Sequence, residues 1–251
     1  NGTFIGHHIT VPKEGVAVHI NAFNFPIWGM LEKIAVNLMA GVPAVVKPSE
    51  YTPLTTLRLA QLFVDAGLPP GVFNVITGLG PSTGKALAEH PGLAKWVLTG
   101  GTEAGRITGA LAGSNFAHQT LELGGKAPAI VFEDADIKAM AHALAMRSTY
   151  NTGQDCTAAT RIYVHTSKFD AAVKELTSVM SSIKYGDPKD PTSDIGPLIS
   201  AEHRTRVHDF VENAKTAGAT IHTGGFIPDS EGFYYPPTLV TDAKQNSDAV
   251  Q

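Results

Sequence analysis

Short apolar runs alternate with stretches of helical periodicity through the first half of this chain. Residues 15–20 (GVAVHI) form an apolar run of strand length, and residues 44–47 form a second, stopped by Pro48. Between them, residues 28–40 put Met30, Leu31, Ile34 and Leu38 on one helical face and end at Gly41. Thr52, followed by Pro53, is placed to cap a helix running to about Ala66. Residues 72–77, 95–99 and 120–123 read as further strands, with helices following the glycine loops 78–84 and 100–105. This β-α alternation predicts a mostly parallel sheet covered by helices, the architecture of nucleotide-binding domains.

The pattern changes at Gly124-Gly125-Lys126-Ala127-Pro128. Beyond it come a strand at 129–132, a long helix at 137–150 capped by Asp136, and a strand at 162–165. Helices at 168–183 and 201–217 and strands at 220–222 and 235–240 follow, with a Pro- and Asp-rich surface loop at 186–197. Two domains are therefore expected, 1–123 and 124–251. The chain starts at Asn1 and reaches Gln251 without a closing element, so both are expected to be incomplete parts of a longer protein.

Composition narrows the function classes. The chain has 251 residues, 43% of them apolar, and a net charge of -4, which gives no basis for nucleic-acid or membrane partners. One cysteine excludes an internal disulfide and fits a reducing, cytoplasmic setting. The ten histidines show no H-x-x-x-H or H-E-x-x-H spacing, so no metal site is expected, and His7-His8 reads as solvated.

That one cysteine, Cys156, follows the polar, flexible run Asn151-Thr152-Gly153-Gln154-Asp155. This is loop chemistry rather than a core stripe, and it marks Cys156 as a candidate nucleophile. Glu122 stands at a strand end among leucines and glycines, either as a surface residue or as a partly desolvated carboxylate poised as a general base. Asn24 follows the first strand, either as a loop cap or as an oxyanion donor. Lys47 and Glu50 form either a solvated charge pair or a ribose-binding pair; a carboxylate there repels a 2′-phosphate and favours NAD over NADP. The loop 78–84 misses the P-loop pattern, because Leu79 and Ala86 stand at required positions, and misses G-x-G-x-x-G by one residue. It is joined by the second glycine loop at 100–105, and two such loops before helix N-termini suit a dinucleotide.

Taken in order, Asn24-Phe25-Pro26, Lys47-Pro48-Ser49-Glu50, Thr99-Gly100-Gly101-Thr102-Glu103-Ala104-Gly105, Glu122-Leu123-Gly124-Gly125-Lys126 and Gly153-Gln154-Asp155-Cys156-Thr157 resemble the NAD(P)-dependent aldehyde dehydrogenase superfamily. The resemblance covers essentially the whole chain, which is similar to the middle half of a family member. It implies an α/β fold: a Rossmann-like cofactor domain followed by an incomplete α/β catalytic domain. It implies that Cys156 attacks an aldehyde, that Asn24 and the Cys156 N–H hold the oxyanion, and that Glu122 activates water against the resulting thioester. Lys47 and Glu50 would hold the adenosine ribose of NAD, with NADP less favoured. Gly80, Pro81, Gly84, Gly100, Gly101, Gly105 and Leu123 would line the cofactor groove. Gly101 stands where the family commonly has Ser, which removes one pyrophosphate hydrogen bond. The family's E-x-F-G-P motif does not occur before Gln251.

The implied substrate wall comprises Phe25, Trp28, Gly29, Glu32, Tyr150, Asp155 and Thr157. Gly29 suggests room for an extended or aromatic aldehyde. Residues 19–33 resemble ring-cleavage semialdehyde dehydrogenases, whereas residues 153–162 resemble aminoaldehyde dehydrogenases. A small-molecule aldehyde is the implied partner. The full-length protein is expected to be a homodimer or homotetramer, with residues 5–12 belonging to an oligomerisation arm, and the 251-residue chain alone is expected to turn over weakly or not at all. Two other classes compete: a cofactor-free thiol hydrolase using Cys156 and Glu122, and a non-catalytic structural fragment.

Overall fold

A computed structural model describes residues 6, 9, 11 and 14–251. His7-His8 and most of the expected arm at 5–12 lie outside the described residues; Ile9 and Val11 are exposed. The chain divides into two compact units, Asn1–Leu123 and Gly124–Gln251.

In the first unit, β1 (Val16–Ile20), β2 (Ala44–Lys47), β3 (Phe73–Val75), β4 (Leu93–Gly100) and β5 (His118–Leu123) form one sheet in the order β3-β2-β1-β4-β5. Every pairing is parallel. The helices α1 (Trp28–Met39), α2 (Pro53–Asp65), α3 (Lys85–Ala88) and α4 (Thr102–Ser114) fall between successive strands. A wide π-type turn, Gly80–Gly84, leads into α3. Strand periodicity divides the core. Val18 and Ile20 join Trp96, Leu98, Ala88 and Ala112 on one side, whereas Met30 and Ile34 of α1 pack on Ala44 and Val46 on the other. Gly105 of α4 lets the helix close on β5: a Cβ there would lie 2.6 Å from Leu123 Cδ2.

β1 also buries a polar pair. His19 is fully buried, its Nε2 lies 2.5 Å from Asn37 Nδ2 of α1, and its Nδ1 has no partner among the described residues. Burial, reinforced by Lys95 and Lys33, pulls the imidazole down to about 4.

In the second unit, β6 (Ala127–Val131) pairs parallel with β7 (Ala159–Val164). α5 (Ile137–Thr149) packs on α6 (Phe169–Ser182) through small and flexible side chains such as Ala141, Ala145, Ala172 and Met180. α7 (Ala201–Thr216) sets Val211 against Leu198 and Tyr235, and β8 (Thr220–Thr223) pairs antiparallel with β9 (Leu239–Thr241).

Three sequence expectations need correction. β3 spans only three residues, not 72–77, because its partner β2 offers a ladder only from Ala44 to Val46. β9 starts at Leu239, not Tyr235: Pro236 and Pro237 have no N–H to give a ladder. Thr52 precedes α2 but makes no capping bond, and its buried Oγ1 has no partner among the described residues.

Candidate functional site

Because β1–β5 are all parallel, their carboxyl ends lie along one edge of the first unit's sheet. The segments that follow them therefore gather there. These are Asn24 and Phe25 after β1, Lys47 and Glu50 at and after β2, the 78–84 loop after β3, Gly100 and Gly101 at the end of β4, and Glu122 and Leu123 at the end of β5. In open α/β sheets this edge is where ligands bind, at the point where strand order reverses; here that point lies between β1 and β4.

Lys47 is the most deeply placed of these groups, at 2% exposure. Its Nζ donates to the Pro48 and Gly78 carbonyls, both at 2.8 Å, and lies 3.7 Å from Glu50 Oε2. Burial pulls the ammonium below its usual range, while Glu50 pulls the other way. The solvated charge pair is thus excluded for Lys47: the ammonium is built into the ends of two strands. Glu50 keeps an exposed carboxylate beside it. Gly78 is also fixed sterically, at φ +149°, since a Cβ would collide with Thr83. Lys85 does not reach back as a P-loop lysine would; it is exposed and lies 3.8 Å from Glu89 one turn on.

The start of α4 is open. Gly101 occupies the cap position in an extended conformation with no side-chain cap bond, and a Cβ at Gly80 or Gly101 would meet no atom within 4 Å. First-turn N–H groups without a cap are left to solvent or to an anion. Glu103, the acidic residue of that turn, is matched by Arg106. A pyrophosphate therefore fits Gly100, Gly101 and the start of α4, and ribose hydroxyls fit Lys47 and Glu50. Gly84 is buried beneath Lys47 Cε, Pro81 is exposed, and Gly105 with Leu123 serves the α4–β5 packing described above.

Of its two readings, Glu122 takes the surface one in the structure. It pairs across the sheet with Thr99 but is exposed, so the desolvated carboxylate is not what this unit presents. β5 has a sheet partner on one side only, and its side chains from His118 to Glu122 are all exposed. Asn24 and Phe25 are half-buried, and Phe25 packs edge-on against the exposed Trp28 with ring centroids 5.2 Å apart. Gly29 borders Phe25, whose Cβ would lie 3.8 Å from an added Cβ, an ordinary contact. Glu32 is paired with Lys33.

In the second unit, α5 starts firmly: Asp136 Oδ1 accepts the Lys138 and Ala139 N–H groups at 2.9 and 3.1 Å. The helix runs to Thr149 and delivers the chain into a tight turn. Tyr150, half exposed, opens it. Asn151, Thr152 and Gly153 then take φ values of +50°, +58° and +74°. A left-handed backbone costs a non-glycine residue about 1–2 kcal/mol, and a β-branched threonine is an outlier there. Side-chain bonds hold the turn. Thr152 Oγ1 donates to the Gly196 carbonyl at 3.1 Å, Gln154 Nε2 donates to the Asn151 carbonyl at 3.1 Å, and Gln154 Oε1 accepts the Ile199 N–H at 3.0 Å.

Cys156 follows, at the head of a second turn closed by Ala158 N–H donating to the Asp155 carbonyl at 3.1 Å. Its thiol is exposed, and among the described residues its backbone N–H donates to no acceptor. Asp155 Oδ1 accepts both the N–H and the hydroxyl of Thr157 at 2.9 Å, and Arg147 donates to that hydroxyl at 3.2 Å. The Cys156 carbonyl passes Gly125, 3.6 Å from where a Cβ would sit. A sulfur that solvent can reach, next to a vacant N–H on a fixed turn, can bond to a carbonyl carbon and donate to its oxygen. Sequence reasoning overlooked Arg147, and it quoted Thr152 and Gln154 without giving them a role. The only signal for Arg147 was a basic residue in the last turn of α5.

Residues 6–251 match the aldehyde dehydrogenase family. An aldehyde dehydrogenase from Agaricus bisporus is 41% identical over 91% of this chain and 46% of its own length. Lactaldehyde dehydrogenase from Escherichia coli superposes with a TM-score of 0.92 at 38% identity, over 94% of this chain and 50% of that one. A cysteine-to-alanine variant of aldehyde dehydrogenase C from Pseudomonas syringae, complexed with NAD+ and octanal, gives 0.91 at 32% identity over 95% and 50%. Other matched structures of the family hold NAD+ or NADP. The chain spans about half the length of the relatives it matches. By sequence and by fold alike, it belongs to the aldehyde dehydrogenase family.

Proposed function

We propose that this chain carries the cofactor-holding and nucleophilic parts of an NAD-dependent aldehyde dehydrogenase, residues 1–123 serving the first role and 124–251 the second. The observation that carries the reading is the exposed Cys156 thiol beside its own N–H, which has no acceptor among the described residues. The thiolate adds to the aldehyde carbon, forming a C–S bond, and the carbonyl electron pair moves to oxygen. The Cys156 N–H and the Asn24 side-chain amide hold that oxyanion. Lys47 and Glu50 orient the adenosine ribose, and the first turn of α4 holds the pyrophosphate. Bound NAD supplies the acceptor for the hydride that leaves the same carbon, and the carbon is left as a thioester on Cys156. Glu122 takes a proton from water, which attacks the thioester, releases the carboxylic acid and returns the thiolate.

The exposed Glu50 carboxylate supports NAD over NADP, since it would repel a 2′-phosphate. The test is NADH formation by the longer parent protein. Cys156→Ser is expected to lower kcat by more than about 10⁴-fold while NAD binding, read by calorimetry, persists. Turnover surviving in the variant would overturn the nucleophile assignment, and a parent that binds no NAD would favour a cofactor-free thiol hydrolase.

A further inference from the structure

The turn before Cys156 is more elaborate than a connection requires. Thr152, a poor residue for a left-handed backbone, sits at φ +58° next to Asn151 at +50°. Both staples that hold this conformation reach the same strap, residues 196–199. That strap is itself fixed, at Leu198 and through Ile195 just before it. Ile195 N–H donates to the Lys184 carbonyl at 3.1 Å, Gly186 N–H donates to the Ile195 carbonyl at 3.0 Å, and Leu198 N–H donates to the Phe233 carbonyl at 3.0 Å. Leu198 is buried against Val211 and Tyr235. The staples thus tie a strained turn to a backbone segment that cannot easily follow it. Only Asp155 separates the second staple from Cys156.

We propose that Thr152 and Gln154 are positioning residues: they clamp the turn to the 196–199 strap and thereby aim the Cys156 Sγ and N–H at a common carbon. The inference rests on the reading of Cys156 as nucleophile and adds what holds it in place. Neither side chain touches the reacting atoms. Each acts by keeping the backbone in a conformation it would otherwise leave, as strained segments at reactive positions do. Misplacing a reacting group by about 1 Å costs on the order of 10²-fold in rate even when every reacting atom is present.

Two reactions of the same sulfur separate aim from exposure in the 251-residue chain. With p-nitrophenyl acetate, Sγ bonds to the acetyl carbon and p-nitrophenolate leaves with its electron pair, so the rate depends on an N–H placed for the oxyanion. With iodoacetamide, Sγ displaces iodide from a saturated carbon, and only an accessible thiolate is needed. Cys156 is the only cysteine, so both signals are unambiguous. Thr152→Val keeps the shape and removes the hydroxyl; Gln154→Met keeps the length and removes both amide bonds.

Each variant is expected to lower the acylation rate by about tenfold or more. Alkylation is expected to stay within about twofold. Thr152→Ser, which keeps the hydroxyl, is expected to restore acylation. The inference is overturned if the variants acylate like the unsubstituted chain, or if acylation, alkylation and thermal stability all fall together without rescue by Thr152→Ser. If the unsubstituted chain itself acylates no faster than N-acetylcysteine, the nucleophile reading fails first and takes the inference with it.

Discussion

The helices of the two units begin differently. In the first unit none of α1 to α4 has a side-chain cap. All four start from the carboxyl edge of a parallel sheet, so their open N-termini share one side of the unit with Lys47 and Glu50. In the second unit Asp136 caps α5 and Ser200 caps α7, with Ser200 Oγ accepting the His203 N–H at 3.1 Å, and only α6 lacks a side-chain cap. There, the turn before Cys156 holds two successive non-glycine residues, Asn151 and Thr152, at positive φ. An open N-terminus costs stability unless something negative occupies it, whereas a capped helix is complete alone. The first unit is built like a receptor for an anion. The second is built like a fixed support for one exposed atom.

The largest expected effect is the response of the first unit to acid. His19 is neutral and buried in the first unit, with its affinity for protons lowered to a midpoint of about 4. An unfolded chain takes up that proton near 6.5, and the folded protein resists until about 4. Stability from this group is therefore complete above about 6.5 and is lost as pH falls toward 4. The loss approaches about 3 kcal/mol. Both tryptophans, Trp28 and Trp96, lie in the first unit, so their fluorescence reports on that unit. Urea titrations at pH 7 and pH 4.5 should show the loss in the unsubstituted chain and a smaller one in His19→Gln. An equal loss in both would place the acid sensitivity elsewhere. His203 is also lowered, by burial and by Arg206, so the second unit loses stability in the same direction.

The second contrast concerns the open end of α4. Gly101→Asp supplies the missing cap and adds a negative charge where a pyrophosphate would sit. Replacing Gly by Asp at a cap adds only a few tenths of a kcal/mol to the helix. The added charge should weaken NAD binding by about tenfold, measured by calorimetry at low salt. Gly101→Ser, a neutral donor, should not weaken it. If Asp at this position leaves affinity unchanged, the end of α4 is not the phosphate site and the contrast between receptor and support fails at its centre.

Strand and helix order was legible because the apolar runs ending before Pro48, Gly78 and Gly100 are closed by Pro or Gly and followed by helical spacing. The parallel sheet follows from that alternation. Glycine loops, Lys47-Pro48-Ser49-Glu50 and the cysteine turn were legible as motifs because their residue types are unusual at those places. What could not be read was burial. Lys47 and Lys85 both lie next to a strand-to-helix connection, yet one is sealed between two carbonyls and the other faces solvent. Glu122 sits among leucines in sequence but on a strand with a sheet partner on one side only. The staples at Thr152 and Gln154 bridge 44 and 45 residues to backbone atoms, and no local pattern encodes a main-chain partner so far away. Thr52 looked like a cap as much as Asp136 did; only backbone geometry separates them.

The smallest effect is the most discriminating, because it asks whether a completed helix matters only to itself. Asp136→Ala removes two bonds to first-turn N–H groups and should cost about 1 kcal/mol. Amide exchange at Lys138 and Ala139 should accelerate, and the melting of the second unit should shift down accordingly. Cys156 follows the far end of α5; the helix spans 13 residues, roughly 20 Å of rise. Fraying at a helix start falls off within about one turn, so iodoacetamide labelling of Cys156, tryptophan fluorescence and NAD affinity should all be unchanged. A drop in NAD affinity, or faster labelling of Cys156, would mean that the cap acts beyond its own helix.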